Sequence, residues 1–138
     1  MRILILGALG CALLGACTQA PLTGAALVER GKYLTENIGG CNDCHTPMTP
    51  QGPDMSRSLQ GATLLFAPTI DMPWAPIAPP IAGIPGHFTE AQFAEFLQTG
   101  VRPDGSTTLP PMPHYRLNDD DARAITAYIA TLAPAPAE

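Results

Sequence analysis

Six prolines, Pro68, Pro73, Pro76, Pro79, Pro80 and Pro85, fall within eighteen consecutive positions, and they constrain the fold of this chain more than any other feature. Proline lacks a backbone N–H and has a fixed φ, so this stretch can form neither a helix interior nor a central strand. The middle of the chain must therefore be a long loop. No convincing strand and no internal repeat is apparent elsewhere. A 138-residue chain with three short helices and long loops has little apolar surface to bury by helix packing alone, so something else should fill its centre.

Three helices are expected around that loop. In the first, Leu27, Val28, Leu34 and Ile38, with Tyr33 between, fall near helical spacing, and Gly39 and Gly40 stop it. The second lies in "FTEAQFAEFLQTG". Thr89 and Gln92 form a capping box there, Phe88 and Phe93 a hydrophobic staple, and Gly100 the terminator. The third begins in "LNDDDARAITAYIATLA" with Asn118 as N-cap and Asp119, Asp120 and Asp121 where the helix dipole favours acids. Ile125, Tyr128, Ile129 and Leu132 share its apolar face. These limits place one domain at residues 27–133 and a flexible tail at 134–138.

The opening "MRILILGALGCALLGAC" has Arg2, an apolar run from Ile3 to Leu14 and small residues before Cys17. That is the layout of an export signal, too short and wrongly flanked for a spanning helix. "LGAC" resembles the lipobox of bacterial lipoproteins, which makes residues 1–16 the signal peptide, Cys17 a lipidated first mature residue and 17–26 a tether. A plain secretory signal cut near "TQA" is the alternative. Lipidation would anchor the protein to a membrane through acyl chains, and export would place the domain in the periplasm. Seven basic residues stand against twelve acidic, and Lys32 is the single lysine. No basic patch is available to hold nucleic acid.

With Cys11 in the signal segment and Cys17 at the anchor, the domain keeps two cysteines, in "CNDCH" at residues 41–45. A redox dithiol of this spacing calls for a βαβ setting, which the strand-poor sequence does not offer. A structural zinc site needs four ligands with a second closely spaced pair, and His87 and His114 are far apart in sequence. A disulfide would leave His45 without a role. Covalent haem attachment uses every residue: the Cys41 and Cys44 thiols add across porphyrin vinyl groups, and His45 ligates the iron. The macrocycle then supplies the missing core. Asn42 and Asp43 are expected to do no more than form the turn.

A second axial ligand should come from far along the chain. Met48, Met55, Met72 and Met112 are available, with His87 and His114. Met112 lies in "LPPMPHYRL", where Pro110, Pro111 and Pro113 stiffen the backbone and lower the entropy lost on ligation. The other three methionines are assigned to gap-filling packing. His114 is the main competitor for iron, with His87 also available. Trp74 can donate its indole N–H to a haem propionate or pack as a core aromatic. Arg57, Arg102 and Arg116 can each neutralise a propionate or serve as surface charges. The aspartates 119–121 are explained by their helix turn, and "RPDGS" at 102–106 by a turn.

The segments "RGKYLTENIGGCNDCHTP", "MPWAPIAPPIAGIPGHFTEAQFAEFLQTGVRPDGS" and "PPMPHYRLNDDDARAITAYIATL" together resemble small class I c-type cytochromes of bacteria over residues 27–133. The resemblance implies an all-α cytochrome c fold, with three main helices and long Pro-rich loops around one covalently bound haem c. It implies thioether bonds at Cys41 and Cys44, His45 as proximal and Met112 as distal ligand. It also implies that the first helix, at Gly31 and Tyr33, crosses the last near Tyr128. The chain is similar, too, to cytochrome domains serving dehydrogenases, although those carry a "PNITPD"-like stretch where this one reads "APTIDMPWAPIAPP". With both axial positions filled, the expected chemistry is one-electron transfer at a positive potential, not catalysis on a substrate. A haem enzyme or gas sensor would need a vacant sixth position. The expected partners are a periplasmic dehydrogenase as donor and a terminal oxidase or reductase as acceptor. The chain serves them as a membrane-tethered carrier or as a dedicated dehydrogenase or respiratory subunit. Docking is expected around "HTPM" and "PPMP".

Overall fold

The computed structural model of the chain describes residues 20–136. The expected signal segment and Cys17 lie outside those residues. Among the described residues the helices are α1 (Gly24–Tyr33), α2 (Cys41–His45), α3 (Glu90–Thr99) and α4 (Asp119–Ala130). A π-helical turn, Leu34–Ile38, continues α1, and a short 3₁₀ turn occupies Met55–Arg57.

The three long helices appear where the sequence places them, with two corrections at the first. It begins at Gly24 instead of Leu27, because Ala25 and Ala26, assigned to the tether, are good helix formers. It also does not stay α-helical to Ile38. Gly39 N–H reaches the Leu34 carbonyl at 2.7 Å, one residue further back than an α-turn allows. Within the widened turn Leu34 and Thr35 are both buried, while Ile38 is left 64% exposed.

α3 carries the expected caps. The Thr89 hydroxyl accepts from Gln92 N–H and the Gln92 side chain accepts from Thr89 N–H. The Phe88 and Phe93 rings meet edge to face with centroids 5.4 Å apart, and Gly100 ends the helix in the left-handed region at φ 73°. At α4 the Asn118 side chain accepts from Asp121 N–H at 2.8 Å, and Asp121 also forms an ion pair with Arg30 of α1 at 2.9 Å.

α1 and α4 cross at Gly31. A Cβ built at this position would lie 1.8 Å from the Ala124 carbonyl oxygen and 2.8 Å from Tyr128 Cβ, so only glycine lets the backbones come this close. Tyr33, two residues further along the same helix, is half exposed. Phe93, Phe96 and Leu97 of α3 pack with Ala122, Ile125 and Ile129 of α4 in the core, joined by Leu34 and by Leu59 from the loop.

The expectation of no strands is corrected in a small way. Met48–Thr49 (β1) pairs antiparallel with Gly52–Pro53 (β2), and Ala62–Thr63 (β3) with Ile77–Ala78 (β4). Two-residue ribbons are too short to show an alternating pattern. β4 fits inside the proline run because such a ribbon needs few ladder hydrogen bonds and places Pro76 and Pro79 just outside them.

Candidate cofactor site

Gly40, in the left-handed region at φ 62°, turns the chain out of the first helix and into α2. Over one helical turn the spacing i, i+3, i+4 puts Cys41, Cys44 and His45 on a common face. Asn42 is buried, and its Oδ1 accepts from the hydroxyls of Thr46 (2.8 Å) and Ser58 (2.9 Å). Thr46 Oγ1 in turn accepts from Leu59 N–H at 2.9 Å. The Leu59 carbonyl then accepts from Ile81 and Ala82 N–H. Asn42 thus ties the motif helix to the loop beneath it, which corrects the expectation that it forms only the turn.

His45 is 6% exposed, and its Nδ1 lies 2.7 Å from the Pro79 carbonyl oxygen. A carbonyl can only accept, so Nδ1 holds the proton and donates it. Burial lowers the imidazole's affinity for a second proton, against a smaller opposing effect of the Pro79 bond. His45 is therefore a neutral, oriented imidazole with its Nε2 lone pair available for coordination. Proline content in the sequence gave no sign that a carbonyl from this run would orient the histidine.

Cys41 and Cys44 are free thiols. Burial pushes the Cys41 thiol up to about 11, with Asp43 adding to the effect, and the Cys44 thiol is raised by burial and then by Asp43. Both are protonated at neutral pH. Beside them Tyr115 donates its hydroxyl to the Gly39 carbonyl, and burial raises that hydroxyl to about 12. Tyr115 belongs to the site and was not singled out from sequence, where an aromatic close behind Pro113 was its only signal.

Met112 lies on a loop pinned at several points. Met112 N–H donates to the Leu109 carbonyl at 3.1 Å, and Ala75 N–H donates to the Pro110 carbonyl at 2.8 Å. His114 Nε2–H donates to the Thr108 carbonyl at 3.2 Å, while its ring packs on Gly100.

Cys41, Cys44, His45 and Met112 all line one cavity of about 540 Å³, walled mainly by apolar residues such as Leu34, Ile81, Phe93, Leu109 and Ile129. That volume lies within the range of roughly 300–1,000 Å³ typical of small-molecule and cofactor sites. The donor set suits haem c: two protonated thiols for thioether bonds, one neutral imidazole nitrogen, one thioether, and an apolar wall for the macrocycle's faces. Ile38, exposed at the end of the π-turn, lines the same cavity.

Several sequence candidates lie elsewhere. His114 is outside the cavity lining and held by Thr108, whereas His87 does line it, with its ring 4.5 Å from that of Phe88. Trp74 is not on the cavity wall. Its indole meets Phe66 edge-on with centroids 5.7 Å apart, and Nε1 is buried without a hydrogen-bond partner among the described residues. An N–H facing so large a cavity would be accessible, so Trp74 does not face the cavity as a propionate donor would. Met48, Met55 and Met72 are exposed instead of filling core gaps, because the loops that carry them run over the surface. Arg57 pairs with Asp54 at 2.8 Å, Arg116 is exposed, and Arg102 lines the cavity.

A sequence model of the family described as "Cytochrome c" matches residues 28–133. Among curated proteins, the alcohol dehydrogenase (quinone) cytochrome c subunit of Gluconacetobacter polyoxogenes is 35% identical over 82% of this chain and 23% of its own length. The fructose dehydrogenase cytochrome subunit of Gluconobacter japonicus is 33% identical over 75% of this chain and 21% of its own. A diheme cytochrome c-type protein of Cereibacter sphaeroides is 33% identical over 73% of this chain and 34% of its own. The chain thus spans about a fifth to a third of the length of these relatives.

Proposed function

The chain belongs to the cytochrome c family, and from that premise we propose that it transfers single electrons through one haem c on behalf of a dehydrogenase. One observation carries the reading. His45, oriented by Pro79 and left with a free Nε2, shares one apolar cavity with the two thiols and with Met112. A single Cys-x-x-Cys-His motif in the sequence supports a single haem.

Cys41 and Cys44 would hold the group covalently, and His45 and Met112 would ligate its iron. Haem c supplies a one-electron iron centre, whose ferrous state a thioether ligand and an apolar setting favour. The protein's part is to hold the ligands and keep water away. The Pro79 carbonyl keeps the proton on Nδ1, which leaves Nε2 as the atom that would meet the iron. The pinned backbone from Thr108 to His114 would present the Met112 thioether.

Similarity to subunits named for alcohol and fructose dehydrogenases supports a dedicated subunit over a freely diffusing carrier. The donor is then a periplasmic dehydrogenase and the acceptor a terminal oxidase or reductase, met on the apolar, lysine-free surface around "HTPM" and "PPMP". Export to the periplasm and a lipid anchor on Cys17 rest on the sequence of residues 1–17. Mass spectrometry of the mature N-terminus tests the anchor, and an unmodified terminus near Pro21 would refute it.

The central test is the visible spectrum of periplasmically expressed protein, oxidised and reduced, with and without Met112→Ala. A low-spin haem c spectrum with a weak far-red band that disappears in the variant is expected. A high-spin ferric wild type would instead indicate a haem enzyme or gas sensor.

A further inference from the structure

Arg102 opens the "RPDGS" turn and is the one residue of that motif on the cavity wall. The turn is a closed hairpin: Val101 bridges to Thr107, Arg102 N–H donates to the Ser106 carbonyl at 2.8 Å, and Gly105 N–H donates to the Arg102 carbonyl at 2.9 Å. The arginine side chain folds back on its own hairpin. Its Nη1 donates to the Thr107 carbonyl at 2.5 Å and to Ser106 Oγ at 3.2 Å. The guanidinium carbon also lies 5.7 Å from the centre of the Phe96 ring. Phe96 and Arg102 both line the cavity. A long, flexible cation is thereby fixed on the wall before anything binds, which lowers the entropy lost when it meets an anion.

Among the described residues that cation has no carboxylate partner in an ion pair. The ion pairs among the described residues use Arg30, Arg57 and Arg123, and none uses Arg102. Asp104 feels its charge, but its carboxylate is held mainly by Ser106. Among the lining residues the groups able to be cationic are His45, His87 and Arg102, and His45 is bound to Pro79. His87 and Arg102 lie at the two ends of one aromatic row: the His87 ring is 4.5 Å from Phe88, Phe88 is 5.5 Å from Phe96, and Arg102 stands over Phe96.

We propose that Arg102, presented by its hairpin, forms the ion pair with a propionate carboxylate of the haem, and that His87 at the other end of the Phe88–Phe96 row is the second anchor. This rests on the haem reading above. A guanidinium suits the task because its fork of N–H donors matches a carboxylate's two oxygens. It singles out Arg102 from the three arginines the sequence offered: Arg57 is neutralised by Asp54, and Arg116 is exposed and off the wall.

The test compares haem-loaded wild type with Arg102→Gln, Arg102→Lys and His87→Gln, using Arg116→Gln and Asp104→Asn as controls. The porphyrin propionate bending mode in resonance Raman spectra should shift in Arg102→Gln, less in Arg102→Lys, and not in either control. At a fixed redox poise the ferrous-to-ferric ratio should fall roughly three- to tenfold in Arg102→Gln, because losing a nearby positive charge favours the ferric state. His87→Gln should produce a smaller change in the same direction. A propionate mode in Arg102→Gln that matches wild type overturns the assignment while leaving the haem reading intact. Wild-type protein carrying no covalent haem overturns both.

Discussion

His45 Nδ1 and the Pro79 carbonyl oxygen lie 2.7 Å apart, joining the motif helix to the middle of the proline run. The bond uses backbone on the Pro79 side, so the two residues should respond differently to substitution. Pro79→Ala keeps the carbonyl and should retain the low-spin spectrum. Its stability should fall by about 1 kcal/mol or less, through greater freedom of the unfolded chain. His45→Ala should abolish that spectrum. Visible spectroscopy and chemical denaturation of both variants provide the check.

Gly31→Ala should be among the most damaging single-atom additions in the molecule. Its new methyl would fall 1.8 Å from the Ala124 carbonyl oxygen, and backbone cannot swing aside as a side chain can. A loss of about 3 kcal/mol is expected from overpacking, measured by guanidinium denaturation of the haem-loaded protein. A loss under about 1 kcal/mol would mean that the helices separate with little resistance.

Asn42→Ala should cost about 2 kcal/mol, since it leaves the Thr46 and Ser58 hydroxyls without their shared acceptor. The neighbouring Asp43 is exposed, and Asp43→Ala should stay within about 0.5 kcal/mol of wild type. Equal losses in the two variants would contradict the role given to Asn42.

Alkaline stability should depend on Tyr128. Its hydroxyl donates to Glu36 Oε1 at 2.5 Å. Burial, then that hydrogen bond and the charges of Glu36 and Glu29, raise it well above the ordinary tyrosine value of 10.0. Below that ordinary value the hydroxyl is neutral in both folded and unfolded chains, and its contribution is intact. As pH rises further the unfolded chain loses the proton first, so stability declines until the folded hydroxyl titrates as well. Tyr115 acts in the same direction. Tyr128→Phe should reduce the slope of stability against pH above about 10 without removing it. An unchanged slope would contradict the argument.

Most of the helical frame was legible because its signals are local. The capping box of Thr89 and Gln92, the Asn118 cap and the stop at Gly100 each involve residues within a few positions of one another. The candidate site was legible for a related reason: Cys41, Cys44 and His45 are marked by their spacing and Met112 by the prolines around it, and all four line one cavity. What escaped depends on pairings across the chain that no periodicity records. Pro79 orients His45, Leu59 links Thr46 to Ile81, and Tyr115 reaches Gly39. Trp74, for which the sequence left both a propionate role and packing open, meets the Phe66 ring edge-on, another pairing that no periodicity records.

The crossing at Gly31 brings together a helix near the start of the described chain and the helix that closes it. Both halves of the cofactor site hang just inside that clasp, the cysteine motif following α1 and Met112 preceding α4. The first and last helices of the described residues therefore close the ring of chain around the cavity together. A chain cut short before Asp119 would keep Met112 but lose Ile125 and Ile129 from the cavity wall, together with the latch at Ala124.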